Sequence, residues 1–214
     1  MPIRRYLPLV AVFLAAVPAT ASAQSGATAT LETAGTHAFE GGLVALAGEP
    51  VHATARAANA LPGSTLTLTF VQGGRTVRTV SQPVSGTGEV TSSLTRPAGL
   101  LTIRARVTPP ASSSQSTGGS QVGTATPAAS GPASSSATAR VSVVVPESGI
   151  GSRGLRVRFL QRRLADLGFA IRHTGVHDTH TSNAVIAHRK VLGMARTGIA
   201  SAAEYRAAAA GRGA

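Results

Sequence analysis

The spacing of apolar residues changes once along this chain, and the change separates two kinds of structure. Across residues 27–107, apolar and polar side chains alternate in short runs, which is the period of a strand with one buried face. From Gly154 onward, apolar residues recur three and four positions apart, which is the period of one helix face. Neither period suits the other kind of element. The sequence therefore predicts an all-β part followed by an all-α part.

The β part is expected to form one antiparallel domain over residues 24–146. Alternating runs predict strands at residues 51–55, 66–71, 76–80, 89–94 and 101–107. Glycine or proline turn signals stand between or beside them, at residues 61–63, 73–74, 86–88 and 97–99. Strands of this length and spacing are typical of an antiparallel β-sandwich. The pattern resembles the immunoglobulin-like or carboxypeptidase-regulatory-like domains found beside wall-binding modules.

Residues 109–138 interrupt the β pattern with a stretch that is rich in Ser, Thr, Gly, Pro, Ala and Gln and has no charged residue. Such a composition cannot bury enough apolar area to offset its ordering entropy, so we expect a disordered loop. Residues 139–145 then predict a strong strand. Alone, that strand would expose three valines and promote aggregation. We interpret it as the last strand of the sandwich; the alternative is an orphan strand within an interdomain linker.

Three helices are expected in the α part, at residues 154–210, after a linker at residues 147–153. The first helix has the apolar stripe Val157, Leu160, Leu164 and Leu167, and the second has Ala184, Val185, His188 and Leu192. Residues 201–210 predict a third helix, with Ser201 as its cap and Tyr205 as its one large side chain.

Local signals mark the ends of the first two helices. Gly168 and Gly193 stand just past them, where a residue in the left-handed conformation closes a helix. Asp178 precedes the second helix, with Thr181 in its first turn, so we expect the carboxylate to cap that helix.

The helical residues resemble the peptidoglycan-binding module of the "binding domain 1" type, a small three-helix bundle found on bacterial wall enzymes. The resemblance implies peptidoglycan as the partner of this chain. An unrelated basic three-helix bundle is the alternative. The matching positions are Gly154, Val157, Leu160, Gln161, Leu164, Leu167, Gly168, Phe169, Gly175, Thr181, Ala184, Val185, Leu192, Gly193, Gly198 and Ile199.

Two histidines depart from the pattern of this module, because His177 and His188 stand where it usually has core aromatics. We expect both imidazoles to be buried near each other, where desolvation lowers their pKa values. The module would then lose stability in mild acid, and phenylalanine at both positions would stabilise it. The alternative is that the second helix turns His188 to solvent.

Positive charge is concentrated in the helical part. From Gly149 onward the chain has 11 Lys and Arg residues and 3 Asp and Glu residues, which gives +8 of the total +12. A basic face attracts polyanions, which for an exported protein are muropeptide carboxylates, anionic wall polymers or anionic lipid rather than nucleic acid. The alternative is that the arginines only form a solvated helix face. The candidate peptidoglycan-binding residues are Arg158, Gln161, Arg162, Arg163 and Phe169.

Residues 1–23 have the pattern of a secretory signal peptide. Arg4 and Arg5 precede a 12-residue apolar run, which is too short to span a bilayer as a helix. The run ends before a small-x-small cleavage site at residues 21–23, so we expect a mature chain that begins at Gln24. The protein is therefore expected outside the cytoplasm, either secreted, periplasmic or held to the wall, with no transmembrane segment after cleavage.

The sequence has no recognisable motif for covalent catalysis or metal binding. The chain has no cysteine, which excludes disulfides, thiol nucleophiles and thiolate metal sites. It also has no Gly-x-Ser-x-Gly elbow. The spacing of His173, His177, Asp178 and His180 matches no zinc signature, and these residues fall in a loop. We expect no catalytic residue, no metal site and no cofactor in this chain.

The order of the two parts resembles the N-terminal portion of an actinobacterial-type L,D-transpeptidase, and residues 188–197 are especially similar. In those enzymes a domain with a cysteine nucleophile follows, and this chain has no cysteine. The sequence thus predicts a non-catalytic peptidoglycan-binding protein. One alternative is a truncated or split L,D-transpeptidase, which a Ser-His-Gly-Cys motif in the DNA after codon 214 would favour. The other is a protein–protein interaction module at the cell envelope.

Overall fold

The computed structural model describes residues 26–110 and 133–213, so the predicted signal peptide and residues 111–132 of the predicted loop lie outside the described residues. A β-rich part precedes three helices, as the apolar periods predicted. The strands are β1 (Thr28–Ala34), β2 (His37–Phe39), β3 (Gly42–Leu46), β4 (Pro50–Gln72), β5 (Arg75–Thr95), β6 (Gly99–Thr108) and β7 (Ser135–Val144). The helices are α1 (Leu155–Asp166), α2 (Thr179–Val191) and α3 (Ala202–Ala209).

The strands form one curled sheet of seven strands. Their order is β1-β4-β6-β7-β3-β2, and β5 pairs with β4. All pairs are antiparallel except β3 with β7, which is parallel. The curl brings β1 back toward β7, where the Ala29 amide donates a hydrogen bond of 3.1 Å to the Ser135 hydroxyl. Alternate side chains of the central strands fill the interior, including Leu66, Leu68, Phe70, Ile103 and Val141.

Two of the predicted turns are β-bulges within long strands. The predicted strands 51–55 and 66–71 both belong to β4, and 76–80 and 89–94 both belong to β5. Register shifts in the β4–β5 ladder fall between Ala57 and Ala60 and between Ala60 and Ser64. Gly63 and Gly86 have positive φ angles of 80° and 72° there. Such residues bend a paired ribbon without breaking it, so β4 pairs with β1 in its first half and with β6 in its second.

Strand β7 is fully integrated into this sheet. It pairs antiparallel with β6 on one side and parallel with β3 on the other. The two pairings rule out the orphan-strand alternative, because both edges of β7 have partners. The strand begins at Ser135, so residues 135–138, which were predicted as loop, belong to the strand.

The helix ends follow their local signals. Gly168 and Gly193 have φ angles of 89° and 69°, the left-handed conformation that closes a helix. The Asp178 carboxylate is the N-cap of α2 and accepts a 2.8 Å hydrogen bond from the Thr181 amide. Hydrogen bonds from the Thr181 amide and hydroxyl lower the pKa of Asp178. Ser201 occupies the N-cap position of α3, but its side chain makes no capping hydrogen bond.

The core of the helical part contains the predicted stripes. Val157, Leu160, Leu164 and Val185 are fully buried, and Leu167 and Leu192 are half-buried near the helix ends. Tyr205 of α3 is also fully buried. The described residues include no helix that is long and apolar enough to cross a membrane.

The helices and the sheet share one hydrophobic cluster. Phe159 lies outside the predicted stripe of α1, yet it is fully buried. It belongs to the same cluster as Val44, Leu46 and Val144 of the sheet. The predicted linker at residues 147–153 is also paired, because Ser148 and Ala200 exchange backbone hydrogen bonds of 3.0 and 2.8 Å. The two parts are therefore in direct contact.

Candidate binding site

Three arginines of α1, Arg158, Arg162 and Arg163, face the hairpin formed by β2 and β3, residues 37–46. The Arg158 guanidinium lies 3.3 Å from the Glu40 carboxylate of that hairpin. Arg162 and Arg163 lie 3.1 and 3.6 Å from Asp166, one turn further along α1. The Arg163 guanidinium also donates a 3.5 Å hydrogen bond to the Ala38 carbonyl. The basic face of α1 is therefore one side of a contact between the two parts.

An open cleft of about 490 Å³ lies between α1 and this hairpin. The three arginines and His173 contribute positive or protonatable groups to its wall, while Glu40 and Asp166 contribute carboxylates. The remaining lining residues are Ala38, Phe39 and Gly41 of the hairpin. We call this space the α1–hairpin cleft. It brings together Arg158, Arg162 and Arg163 of the predicted binding residues.

A larger depression of about 570 Å³ lies on the β domain beside Arg56. The Arg56 guanidinium is held between Glu32 and Glu89, at 2.9 and 2.8 Å. These charges already satisfy one another, and the remaining lining residues are small or uncharged. The α1–hairpin cleft is the better candidate site, because it has more cationic groups than carboxylates.

Gln161 has an internal role instead of the predicted binding role. Its side chain is fully buried. Its amide nitrogen shares its two hydrogens among three acceptors, the Thr174 hydroxyl, the Val176 carbonyl and the Thr181 hydroxyl, and its oxygen accepts from the Gly175 amide. No polar atom of the side chain is left for a ligand. The sequence contained a signal for this, since Gln161 lies four residues after Val157 and three before Leu164, on the buried face.

Phe169 lies away from the cleft, so the structure does not bring it together with the arginines. Its half-buried ring packs edge-on against the His188 ring, with centroids 5.4 Å apart. The aromatic residue after Gly168 thus covers one end of the helical core.

His188 is buried, as predicted, but in a polar environment. Its Nδ1 faces the carboxylate of Glu204, and both side chains are fully buried. Its Nε2 donates a 2.7 Å hydrogen bond to the Arg212 carbonyl. The expectation of an apolar site is wrong, because α3 places a carboxylate where an aromatic core would have a hydrocarbon contact. No local pattern marks Glu204 as buried.

His177 is also buried, with partners of its own. Its Nε2 donates to the Gly198 carbonyl at 3.0 Å, and its Nδ1 accepts from the Ser148 hydroxyl at 2.9 Å. The Tyr205 hydroxyl donates to the same Ser148 oxygen at 3.0 Å. Burial lowers the pKa of His177 and raises the pKa of Tyr205 to about 12. The two histidines share no hydrogen-bond partner among the described residues, and their proximity stays a prediction.

The contact between Ser148 and His177 has the geometry of a nucleophile and its base. Ser148 is only 2% exposed, however, and its hydroxyl is engaged by two neighbours. A substrate cannot reach it. The network instead ties the predicted linker to the loop before α2 and to α3. Among the described residues, no three His, Asp or Glu side chains form a group that could hold a metal ion.

Gly175 illustrates why the helical motif needs glycine beside the arginines. Its φ is 73°, a conformation that side chains rarely adopt, and a Cβ there would lie 2.9 Å from Cγ of Arg158. The backbone at this position therefore approaches α1 closely and limits where the Arg158 side chain can go.

Comparisons with known proteins give one informative match. No curated protein matches the chain. Among solved structures, the solution structure of the CARDB domain of a Pyrococcus furiosus protein is 16% identical over 57% of this chain and 99% of that chain. Its TM-score of 0.32 is too low to assign a fold. Residues 153–207 match a protein family described as "Putative peptidoglycan binding domain", which supports peptidoglycan binding by the helical part.

Proposed function

We propose that this chain is an exported, non-catalytic protein that attaches to peptidoglycan through its helical module, residues 154–210. The family match over residues 153–207 is the observation that carries the proposal. It coincides with α1, α2 and most of α3, the elements that form the helical core. The basic residues on α1 provide an electrostatic attraction to a carboxylate-bearing polymer.

Export is part of the proposal because of the signal-peptide pattern at residues 1–23. Peptidoglycan lies outside the cytoplasmic membrane, so a domain that binds it can act only after secretion. The proposed location is the wall or the periplasm, with anionic wall polymers as additional partners.

The absence of catalysis is proposed on the residue types available. The chain has no cysteine for a thiol mechanism. The one serine–histidine contact described above is sealed from solvent. Binding, in contrast, requires only a surface of suitable charge and shape, and this module has a basic surface.

Two finer expectations accompany the proposal. One is that the curled sheet is an immunoglobulin-like domain, as its short alternating runs suggested. The other is a second hypothesis, in which the chain corresponds to the front part of an L,D-transpeptidase, favoured by the similarity of residues 188–197. A Ser-His-Gly-Cys motif encoded downstream of codon 214 would support that hypothesis, and its absence would count against it.

The direct test is co-sedimentation of the mature protein, from Gln24, with purified sacculi. Microcrystalline cellulose serves as a matched insoluble polysaccharide without peptides. We expect recovery in the sacculus pellet and not in the cellulose pellet. Equal recovery in both would contradict specific attachment. Chromatography of the muropeptides after incubation tests the non-catalytic part, since new or lost cross-links would reveal an enzyme.

A further inference from the structure

We infer that the β2–β3 hairpin of the β domain forms one wall of the peptidoglycan-binding site, and that the α1–hairpin cleft takes an oxyanion-bearing group of the wall, a carboxylate or a phosphate. The inference rests on the proposed function and deepens it. It assigns the β domain a direct part in binding, whereas the family match covers only residues 153–207, in the helical part.

The first argument is that the hairpin has a defined position against α1. Phe159 of α1 is fully buried there. Its ring centroid lies 5.7 Å from that of Phe39, edge-on, and 5.6 Å from that of His37. Outside the hairpin, Arg206 of α3 reaches Glu49 at 2.6 Å, a second polar contact between the two parts. Because buried aromatic contacts hold both walls, the cleft exists before a ligand arrives.

The second argument is that the cleft has guanidinium groups available to an anion. Arg162 has 57% of its side chain exposed, and its ion-pair partner is the exposed Asp166. Exposed ion pairs contribute little to stability, so a ligand oxyanion can replace Asp166 at small cost. The planar guanidinium group matches the two oxygens of a carboxylate or phosphate.

The third argument concerns Arg163, which extends under the hairpin. Its guanidinium lies 5.2 Å from the Phe159 ring centroid, and its Nε is buried without a hydrogen-bond partner in the described part of the chain. This guanidinium has a second role, since it also donates to the Ala38 carbonyl. It therefore supplies fixed positive charge at the base of the cleft, while the more exposed Arg162 contacts the ligand.

The test uses the full mature chain in quantitative sacculus-binding assays. Ala38→Trp places bulk in the cleft from the β domain, and Ala34→Trp places the same bulk on an exposed strand position outside it. Arg162→Gln removes one charge from the cleft, and Arg172→Gln removes one from an exposed position elsewhere on the module. Thermal melts establish that all four variants are folded.

We expect Ala38→Trp and Arg162→Gln each to weaken binding about tenfold or more, as the loss of a charge-assisted contact does. Both controls should bind like the parent. If the parent binds sacculi and all four variants bind equally well, the composite cleft is wrong while the proposed function stands. If the parent does not bind at all, the proposed function fails, and this inference fails with it.

Two treated sacculus preparations distinguish the source of the oxyanion. Amidation of the peptide carboxylates should abolish the difference between the parent and Arg162→Gln if the cleft takes a carboxylate. Removal of phosphate-containing polymers should abolish it if the cleft takes a phosphate. If the difference persists in sacculi that have received both treatments, the cleft does not recognise an oxyanion.

Discussion

His188 of α2 and Glu204 of α3 face each other with both side chains fully removed from solvent. Nε2 of the imidazole is committed to the Arg212 carbonyl, and the second carboxylate oxygen of Glu204 has no hydrogen-bond partner in the described part of the chain. The contact between Nδ1 and the carboxylate is therefore the hydrogen bond that holds these two side chains together. This buried pair joins α2, α3 and the segment after α3, and neither partner can be replaced alone without leaving the other unpaired.

The first prediction follows from that pair. His188→Phe should destabilise the protein by roughly 3–5 kcal/mol, because it leaves the Glu204 carboxylate buried without its partner. The double variant His188→Phe with Glu204→Leu should recover much of that loss. Chemical denaturation of the two single variants and the double variant gives the coupling energy. Additive effects would show that the two side chains do not interact. This prediction is opposite in sign to the expectation from the sequence alone, that phenylalanine at positions 177 and 188 together stabilises the module.

The second prediction concerns His177 and pH. Burial lowers the pKa of His177, while its hydrogen bond to the Gly198 carbonyl and the charge of Asp178 act in the opposite direction. The unfolded chain, with a histidine pKa of about 6.5, then binds a proton more readily than the folded protein. The contribution of His177 to the free energy of unfolding is therefore fully present above that value. It declines as the pH falls below that value toward the lowered pKa of His177 in the folded protein.

The matched variants for this prediction are His177→Gln and His180→Gln, since His180 is exposed. Thermal melts at about pH 7.5 and 5.5 should show a smaller acid-induced loss for His177→Gln than for the parent. His180→Gln should behave like the parent. Burial and the charge of Arg163 also lower the pKa of His37, so part of the dependence should remain in His177→Gln. An unchanged acid response in His177→Gln would exclude His177 as its source.

The third prediction concerns the core stripe of α1. Leu164 is fully buried in the cluster that includes Val185 and Tyr205. Leu164→Ala should cost about 2–5 kcal/mol of unfolding free energy, through lost transfer energy and the cavity left behind. Denaturant titration of the variant measures this loss. A free energy of unfolding within error of the parent would mean that Leu164 does not pack as described.

The fourth prediction separates a structural role of Gln161 from a binding role. Gln161→Leu leaves the Gly175 amide without its side-chain acceptor, so we expect a loss of roughly 1–3 kcal/mol. The folded fraction of the variant should bind sacculi with the parent affinity, because the side chain is buried. Reduced affinity with unchanged stability would instead restore Gln161 as a ligand contact.

The fifth prediction concerns salt. From Gly149 onward the chain has 11 basic and 3 acidic residues, so sacculus binding should weaken as the ionic strength rises past ~0.15 M, where the Debye length is near 8 Å. The combined change of Arg158, Arg162 and Arg163 to Gln should reduce both the affinity and its dependence on salt. Binding that is insensitive to salt and to these changes would mean that the arginines are solvated surface only.

Much of the helical part was predictable because its determinants are local. The three-and-four spacing of Val157, Leu160 and Leu164 specifies a buried face without reference to anything outside the helix. The end signals are equally local, since Gly168 can adopt a positive φ and Asp178 can cap the amide of Thr181. The β pattern also predicted that residues 139–145 needed sheet partners.

The candidate site was predictable only in part. The arginines of α1 were identified by charge, but the hairpin that faces them comes from the other end of the chain. The burial of Gln161 was not predicted, because a polar residue on a buried face has no visible partner in the sequence. The turn signals at residues 61–63 and 86–88 predicted strand ends. Only the pairing of β4 with β5 shows that these residues lie at bulges within continuous strands.

By itself, then, the sequence determined where the three helices form, which part of the chain is β, which helix faces are apolar and where the positive charge lies, because these depend on periodicity and on the conformational limits of single residues. The tertiary structure alone decided what each buried group meets. Phe159 packs on Phe39 of the hairpin, His188 on Glu204, and His177 on Ser148. Such pairings depend on how separate elements dock, and docking is the sum of many contacts between residues that are distant along the chain.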